Sequence, residues 1–175
     1  MLHDWATCDR ATQTRVLGWS DHPQVPAHAS RAMVAISVVR TLRKVTLPEN
    51  YREVHSWVAY DGDRPVAFLS AELLSRWSPP EMFFPVEPDI DLTGPTLVFA
   101  TLVDPELWGR GYATAAKMAA CDHPAAARAE AFHACIRADN ERSLKAISKI
   151  PGIQLVGTAA EEGHRWRHFR WHRRT

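Results

Sequence analysis

The sequence lacks the long apolar runs and the cysteine clusters that mark several classes of protein. Residues 1–10 mix charged and apolar side chains, so neither a signal peptide nor a membrane span is expected, and we expect a cytoplasmic protein. The three cysteines, Cys8, Cys121 and Cys135, form no Cys/His cluster of metal-ligand spacing. This pattern predicts free thiols and no bound metal. Cys135 lies in an apolar segment, where a small buried side chain is a more common role than a catalytic thiol.

A large excess of one charge is also absent, since 21 basic and 20 acidic residues give a net charge of +1. The last twelve residues are the exception, because they contain five arginines and no acid. Arginines that alternate with aromatic residues can bind nucleic acid. The alternative is a final β-strand with one packed face and a charged tail, which we favour. The five arginines are Arg165, Arg167, Arg170, Arg173 and Arg174.

No internal repeat or low-complexity linker divides the chain. Its 175 residues, 46% of them apolar, can bury one core but hardly two, which predicts a single domain over residues 1–175.

The pattern of apolar residues and turn residues predicts the elements. After an irregular start, apolar spacing predicts a helix over residues 29–44. Asp61-Gly62-Asp63 between two apolar segments predicts a hairpin with strands over 56–60 and 65–74, because Asp-Gly accommodates positive backbone angles. Five prolines predict a loop over residues 75–95. Further strands are expected over 96–103, 131–137, 154–158 and 165–171, and helices over 111–121 and 140–149.

The most informative segment is residues 101–114, where an apolar strand, a proline stop and a glycine-spaced turn precede an alanine-rich helix. Gly109 and Gly111 permit backbone angles that other residues resist, and the first turn of a helix leaves N–H groups without internal partners. The helix dipole and Arg110 add positive charge. The segment therefore predicts a phosphate site built mostly from backbone.

Two familiar phosphate loops do not fit this segment. The P-loop ends in Gly-Lys-Ser/Thr, and the dinucleotide fingerprint needs three glycines after a first strand, with an acidic residue about twenty positions later. Here the turn lies past the middle of the chain and has no such lysine. Both classes are therefore excluded.

The turn instead resembles the coenzyme motif of the GNAT superfamily of N-acetyltransferases, Gln/Arg-x-x-Gly-x-Gly/Ala at a strand-to-helix junction. Gly111 and Ala113 match the last two marked positions. Trp108 stands where the family usually has Gln or Arg, so one side-chain contact to the coenzyme differs in this chain.

A second segment resembles the family's Asn-x-x-Ala/Ser…Lys-x-Gly-Phe pattern. The residues that carry the resemblance are Asn140, Ser143, Lys149 and Gly152, with one residue more between Lys and Gly than in the pattern and Ile153 in place of Phe. Asn140 also fits the N-cap position of the predicted helix, which is the structural alternative. The two matches together span residues 97–157, and we interpret the chain as a member of this superfamily.

The resemblance implies an α/β fold whose mixed, mostly antiparallel sheet has two splayed parallel central strands and helices on both faces. Acetyl-CoA is then expected between the splayed strands, with backbone groups of the first strand paired to the pantetheine amides. Residues 96–157 form the coenzyme half, and residues 25–95 shape the acceptor side. The expected coenzyme contacts are Thr101, Leu102, Val103, Trp108, Gly109, Arg110, Gly111, Tyr112, Ala113, Thr114, Asn140 and Ser143.

The implied reaction is direct attack of a neutral amine on the acetyl carbonyl. It needs a base, a group that polarises the carbonyl and a partner for the departing thiolate. An N–H near Leu102 or Val103 is expected to polarise the carbonyl. Glu72 is the leading base because it alternates with apolar residues in its strand, and the alternative is an ordinary solvent-facing glutamate. His133 can act through water, against the alternative of a core histidine.

The thiolate partner departs from the family. Many members have a Tyr seven residues after the Asn, where this chain has Ile147. Ser143, Ser148, Tyr112 or solvent can take its place, and the sequence does not rank them. We carry Ser143 and Glu72 as the catalytic candidates.

The acceptor is left open by the sequence, because Trp77, Glu81, Phe83 and Phe84 can either line an amine pocket or anchor a loop. Three functions follow: acetylation of a small-molecule amine, acetylation of a macromolecular amine docked on the C-terminal arginines, or non-catalytic binding of acyl-CoA. A macromolecular amine here means a protein N-terminus, a lysine or an aminoacyl-tRNA. The expected partners are acetyl-CoA and an amine, without a membrane, for a monomer or homodimer.

Overall fold

The computed structural model describes residues 1–25, 34, 37, 38, 41, 51–76, 94–161 and 163–173. These residues form a seven-stranded sheet and, among the helices described, three α-helices. The strands are β1 (Leu2–Asp4), β2 (Tyr51–Asp61), β3 (Arg64–Leu74), β4 (Thr96–Val103), β5 (Ala131–Arg137), β6 (Gln154–Glu161) and β7 (His164–His172). The helices are α1 (Arg10–Trp19), α2 (Tyr112–Cys121) and α3 (Glu141–Ile147).

The strand order is β1-β2-β3-β4-β5-β7-β6. Neighbouring strands are antiparallel except for β4 and β5, which run parallel and are connected through α2. This is the mixed, mostly antiparallel sheet that the sequence predicted. Within the described ranges, no helix has both the length and the apolar content needed to cross a bilayer.

Helices cover both faces of the sheet. Phe68 of β3 is the register partner of Leu102 of β4, and both pack in a buried cluster with Val16 of α1. Leu69, the next residue along β3, belongs to a second buried cluster with Ala116 of α2. Because side chains alternate across a strand, these clusters lie on opposite faces. We call them the α1 face and the α2 face.

The predicted hairpin is present as β2 and β3. Asp61 pairs with Arg64, so the turn consists of Gly62 and Asp63, and Gly62 has a φ of 56°. A residue without Cβ adopts this angle at little cost, which explains the turn position. The first strand begins at Tyr51, five residues before the predicted start at Ser56.

The start of the chain is not irregular, and that prediction was wrong. β1 pairs with β2, and α1 begins after Asp9, whose side chain accepts a hydrogen bond from the Thr12 amide at 2.7 Å. This N-cap and the burial of Val16 and Trp19 stabilise a helix whose few apolar residues gave a weak periodic signal.

The other predicted elements agree with the structure to within a few residues. β4 and β5 have the predicted bounds, α2 begins one residue later than expected and α3 ends two residues earlier. β6 extends beyond its predicted end. The predicted helix over 29–44 and the predicted loop over 75–95 lie mostly outside the described residues, although Val34, Ser37, Val38 and Thr41 are described as helical.

Candidate active site

Strands β4 and β5, both fully described, pair only at their N-terminal ends. The last pair of their parallel register joins Val98 to His133. Beyond it, β4 continues to Val103 along β3, and β5 continues to Arg137 along β7. The strands therefore separate, and a gap opens toward their C-terminal ends. We call the Val98–His133 pair the apex of this gap.

The backbone of β4 faces the gap at alternate residues. The Asp104 amide donates to the Val66 carbonyl at 3.0 Å, which continues the β3–β4 register and marks the positions that bond to β3. In an antiparallel ladder, such positions alternate with residues whose N–H and C=O groups face away. Thr101 and Val103 therefore face the gap, whereas Leu102 faces β3. The register thus favours two of the three backbone contacts expected here.

The turn before α2 presents a series of backbone N–H groups. Gly109 and Gly111 have φ values of 80° and 88°, and a Cβ on either would meet no described atom within 4 Å. The N–H groups of Gly109, Gly111, Tyr112 and Ala113 donate to no described backbone carbonyl. This is the geometry in which a turn and a helix start receive a phosphate.

The side chains of this turn have different surroundings. Arg110 is exposed. The Tyr112 hydroxyl donates to Asp61 Oδ2 at 2.6 Å, and this hydrogen bond to a carboxylate raises the pKa of Tyr112. Thr114 Oγ1 donates to the Ala146 carbonyl at 2.8 Å. The side chains of Tyr112 and Thr114 therefore attach α2 to the hairpin and to α3.

Trp108 has contacts on three sides that the motif did not indicate. Its Nε1 donates to the Val103 carbonyl at 3.1 Å. The His22 ring meets it edge-on, with 5.2 Å between ring centroids. The Arg142 guanidinium lies over the indole, with Cζ 3.6 Å from the ring centroid. The only signal in the sequence was the unusual residue type at position 108.

Asn140 and Ser143 come together at the start of α3. Asn140 Oδ1 accepts a hydrogen bond from the Ser143 amide at 3.1 Å, so Asn140 is the N-cap of this helix. The cap uses the amide oxygen only and leaves the Nδ2 hydrogens without a described acceptor. Ser143 is half-buried, and its hydroxyl also has no hydrogen bond to a described residue. Both polar groups are therefore compatible with a ligand.

The candidate thiolate partners differ in what they already bind. Ile147 is buried in the core and offers no polar group. Ser148 is exposed and donates to a carbonyl within its own helix turn at 3.1 Å, and Tyr112 donates to the hairpin. Thr101 Oγ1 is buried and has no described hydrogen-bond partner. The hydroxyls of Ser143 and Thr101 thus have capacity for a ligand.

Glu72 and His133 flank the apex on the α1 face. Glu72 is half-buried and is the register partner of Val98, which pairs with His133 on its other side. Register partners share a face of the sheet, so the two side chains are two strand spacings apart, about 10 Å at the backbone. A carboxylate and an imidazole therefore stand on opposite sides of the point where the gap begins.

His133 forms a buried pair with His168 of β7. His133 Nε2 and His168 Nδ1 are 3.2 Å apart, and both residues are almost fully buried. Burial disfavours the imidazolium form, lowering the pKa of His168 to about 4 and that of His133 well below its usual range. Both rings are therefore neutral at pH 7, which supports the interpretation of His133 as a core histidine.

The cysteines are free thiols, as predicted. Cys121 is buried, which raises its pKa to about 11, and Cys135 is half-buried. Within the described ranges, no group of three or more His, Cys, Asp or Glu side chains is arranged to hold a metal ion.

The C-terminal arginines do not share one surface. Arg165 and Arg167 are exposed, whereas Arg170 is half-buried and lies on the α1 face as the register partner of His133. Arg173 donates to the Ala126 carbonyl at 2.8 Å. Arg165, Arg167 and Arg170 belong to β7, which pairs with β5, and Arg173 follows its end, so a final strand is present as favoured from the sequence. Arg174 and the candidate acceptor residues Trp77, Glu81, Phe83 and Phe84 lie outside the described residues.

Comparison with known proteins gives a family for this chain. A family model for the GNAT acetyltransferase family matches residues 35–150, which is more than half of the sequence. The chain therefore belongs to the GNAT acetyltransferase family. A search of curated proteins gives no match.

Solved structures share the fold at low sequence identity. An aminoglycoside N(6')-acetyltransferase from Legionella pneumophila has a TM-score of 0.64 at 13% identity, over 98% of this chain and 91% of that one. AAC(6')-Ib in complex with paromomycin and acetyl-CoA has a TM-score of 0.64 at 12% identity, with 99% and 93% coverage. A spermidine N-acetyltransferase chimera of Vibrio cholerae SpeG and hSSAT has a TM-score of 0.63 at 11% identity, with 98% and 94% coverage.

Proposed function

We propose that this protein transfers an acetyl group from acetyl-CoA to a primary amine by direct attack. The observation that carries the proposal is the presence of two sets of open backbone N–H groups at the gap. Those of Thr101 and Val103 face the gap from β4, and those of Gly109, Gly111, Tyr112 and Ala113 in the turn donate to no described backbone carbonyl. A pantetheine arm needs the first kind of site, and a diphosphate needs the second. The complex of AAC(6')-Ib with acetyl-CoA, in a protein of similar fold, adds support.

Bound acetyl-CoA would supply an activated acetyl carbon and a thiolate leaving group. The Thr101 or Val103 N–H would donate to the carbonyl oxygen as negative charge develops there. Glu72 would accept the proton of the incoming ammonium, directly or through water, so that the amine attacks as a neutral nucleophile. His133, a neutral imidazole across the apex, is the second candidate for this step.

The departing thiolate needs a hydrogen-bond donor. Ser143 provides one from the start of α3, and the structure adds the Thr101 side chain, which the sequence did not indicate. A buried hydroxyl without a partner costs about 1–3 kcal/mol. A hydrogen bond from Thr101 Oγ1 to the coenzyme sulfur would offset this cost in the bound state. We therefore propose Ser143 and Thr101 as the donors that replace the Tyr missing at Ile147.

We propose a small-molecule amine as the acceptor. The names of two proteins of similar fold specify an aminoglycoside and spermidine, which are amines of this class. A macromolecular acceptor is the second candidate, supported by the exposure of Arg165 and Arg167. Docking on these arginines would weaken as salt screens their charge, whereas acetylation of a small amine would persist.

Two measurements test the proposal. A ligand that binds only the folded state raises its stability by RT ln(1 + [L]/Kd), so acetyl-CoA should raise Tm with increasing concentration. Release of free thiol in the presence of a panel of primary amines should then identify acceptors. Absence of any Tm shift contradicts coenzyme binding. A Tm shift without thiol release from any amine would support the non-catalytic acyl-CoA module instead.

A further inference from the structure

Trp108 holds a cation at the mouth of the gap. Its indole is fixed by the Nε1 hydrogen bond to the Val103 carbonyl, at the C-terminal end of β4, and by the edge-on ring of His22. Arg142 stacks on this ring with Cζ 3.6 Å from the centroid. A guanidinium over the face of a Trp ring is attracted electrostatically by the ring. The stack therefore favours one position of an otherwise mobile side chain.

The stacked pair crosses the gap. Trp108 follows β4, and Arg142 is in the first turn of α3, which follows β5. The hydrogen bond from Thr114 Oγ1 to the Ala146 carbonyl, 2.8 Å long, attaches α3 to α2 and so fixes the helix that carries Arg142. Both sides of the mouth are thereby held at a defined separation.

The charge of Arg142 is not neutralised by a described residue. Its guanidinium forms no ion pair or hydrogen bond within the described ranges, and the side chain is exposed. Stacking uses the face of the guanidinium and leaves its N–H edge available for a bidentate contact. Gly109, the residue next to Trp108, and Gly111 have N–H groups that donate to no described backbone carbonyl. Trp108 itself has no donor left, because its Nε1 is used.

We propose that Arg142, positioned by Trp108, binds the diphosphate of the coenzyme together with the backbone amides of the turn. The side-chain donor that position 108 lacks is thus supplied from α3. Arg142 is a binding residue in this scheme, and Trp108 is its positioning residue. The inference rests on the proposed function, since it assumes a CoA ligand in the gap.

The test compares Arg142→Gln with Lys145→Gln, which removes an exposed charge from the same helix. Calorimetry with CoA and with dephospho-CoA should give at least about tenfold weaker binding for Arg142→Gln, because charge-assisted hydrogen bonds to the diphosphate are lost. Lys145→Gln should bind both ligands like the unaltered protein. The affinity for pantetheine, which lacks phosphate, measured by direct titration, should be the same for all three proteins.

Trp108 is tested by a double-variant cycle that combines Trp108→Leu with Arg142→Gln, and by the single variant Trp108→Phe. Trp108→Leu should weaken CoA binding about as much as Arg142→Gln, and the double variant should be no weaker than the weaker single variant. Trp108→Phe keeps a ring for stacking and should lose less. The far-ultraviolet circular dichroism of each variant checks its fold.

Several results would overturn the inference. Unchanged CoA affinity in Arg142→Gln removes its basis, and an equal loss for pantetheine makes the effect structural. A loss with CoA that is absent with dephospho-CoA would assign Arg142 to the 3′-phosphate instead of the diphosphate. Additive losses in the double variant would separate Arg142 from Trp108. If the unaltered protein binds no CoA, the proposed function itself fails.

Discussion

Two regions border the same gap with different kinds of group: the turn at residues 108–113, and the side chains of Glu72 and His133 at the apex, which we call the polar row. The turn offers backbone N–H groups beside open space, and its conformation depends on two glycines with positive φ. The row offers the side chains of Glu72 and His133, half-buried and buried within the sheet. A site built from backbone groups tolerates most side-chain substitutions and does not change its charge with pH. A site built from titratable side chains is sensitive to substitution of those side chains and to pH. We expect binding to be controlled at the turn and turnover at the row.

The largest effect should come from Gly111→Glu. A side chain at φ 88° strains the turn, and its carboxylate would lie at the start of α2, where it competes with a diphosphate. Acetyl-CoA binding, measured by calorimetry, should be lost. Gly163→Glu is the matched control, since Gly163 also has a positive φ of 77° but lies in the β6–β7 turn. Retained binding in Gly111→Glu would place the phosphate site elsewhere.

Glu72→Gln tests the polar row and should lower turnover without changing coenzyme binding. Loss of a general base typically lowers the rate about 10²–10⁴-fold, so kcat at neutral pH should fall by at least about a hundredfold while acetyl-CoA affinity stays constant. At alkaline pH the amine substrate is already neutral, and the rate should recover. Equal pH–rate profiles for the two proteins would eliminate Glu72 as the base.

The His133–His168 pair should make the fold sensitive to acid. The pKa of His168 is about 4 when folded and near 6.5 when unfolded, so the unfolded chain binds more protons between these values. Stability is therefore full above pH 6.5 and falls as pH decreases toward 4. His168 alone should account for about 2 kcal/mol between pH 7 and pH 5.

Urea unfolding at pH 7 and pH 5 measures this loss, with His168→Gln as the comparison. The variant should be less stable at pH 7 and lose less stability on acidification. An equal pH dependence in both proteins would show that the histidine pair does not control acid stability.

Thr101→Val should have the smallest effect and separates stability from turnover. Removing a buried hydroxyl without a described partner should raise the free energy of unfolding by about 1 kcal/mol. The same change should lower kcat about tenfold if the hydroxyl stabilises the thiolate, by loss of one hydrogen bond. Thr101→Ser retains the hydroxyl and should keep near-normal turnover. A stabilised Thr101→Val variant with normal kcat would leave Ser143 as the donor.

Local sequence signals predicted the bounds of the elements within residues 96–157 well. Strands β4 and β5 are short apolar segments bounded by Pro95 and by turn residues, so their bounds could be predicted from composition alone. The turn at Gly109 and Gly111 was predictable because positive φ angles restrict the residue type. The structure adds the register, which directs Thr101 rather than Leu102 toward the gap.

Contacts between distant residues could not be predicted in this way. His133 and His168 are 35 positions apart and meet only through the β5–β7 register. The stack of Arg142 on Trp108 likewise requires the positions of α3 and β4. α1 was missed because its stability depends on an N-cap and on tertiary burial rather than on a strong apolar period.

The most direct test of the central claim is amide NMR during titration with acetyl-CoA. The account predicts that the largest shifts occur at the N–H groups of Gly109, Gly111, Tyr112 and Ala113, with Thr101 and Val103 next and Leu102 little affected. Saturable binding that leaves these amides unchanged would contradict the proposal that the turn before α2 holds the diphosphate.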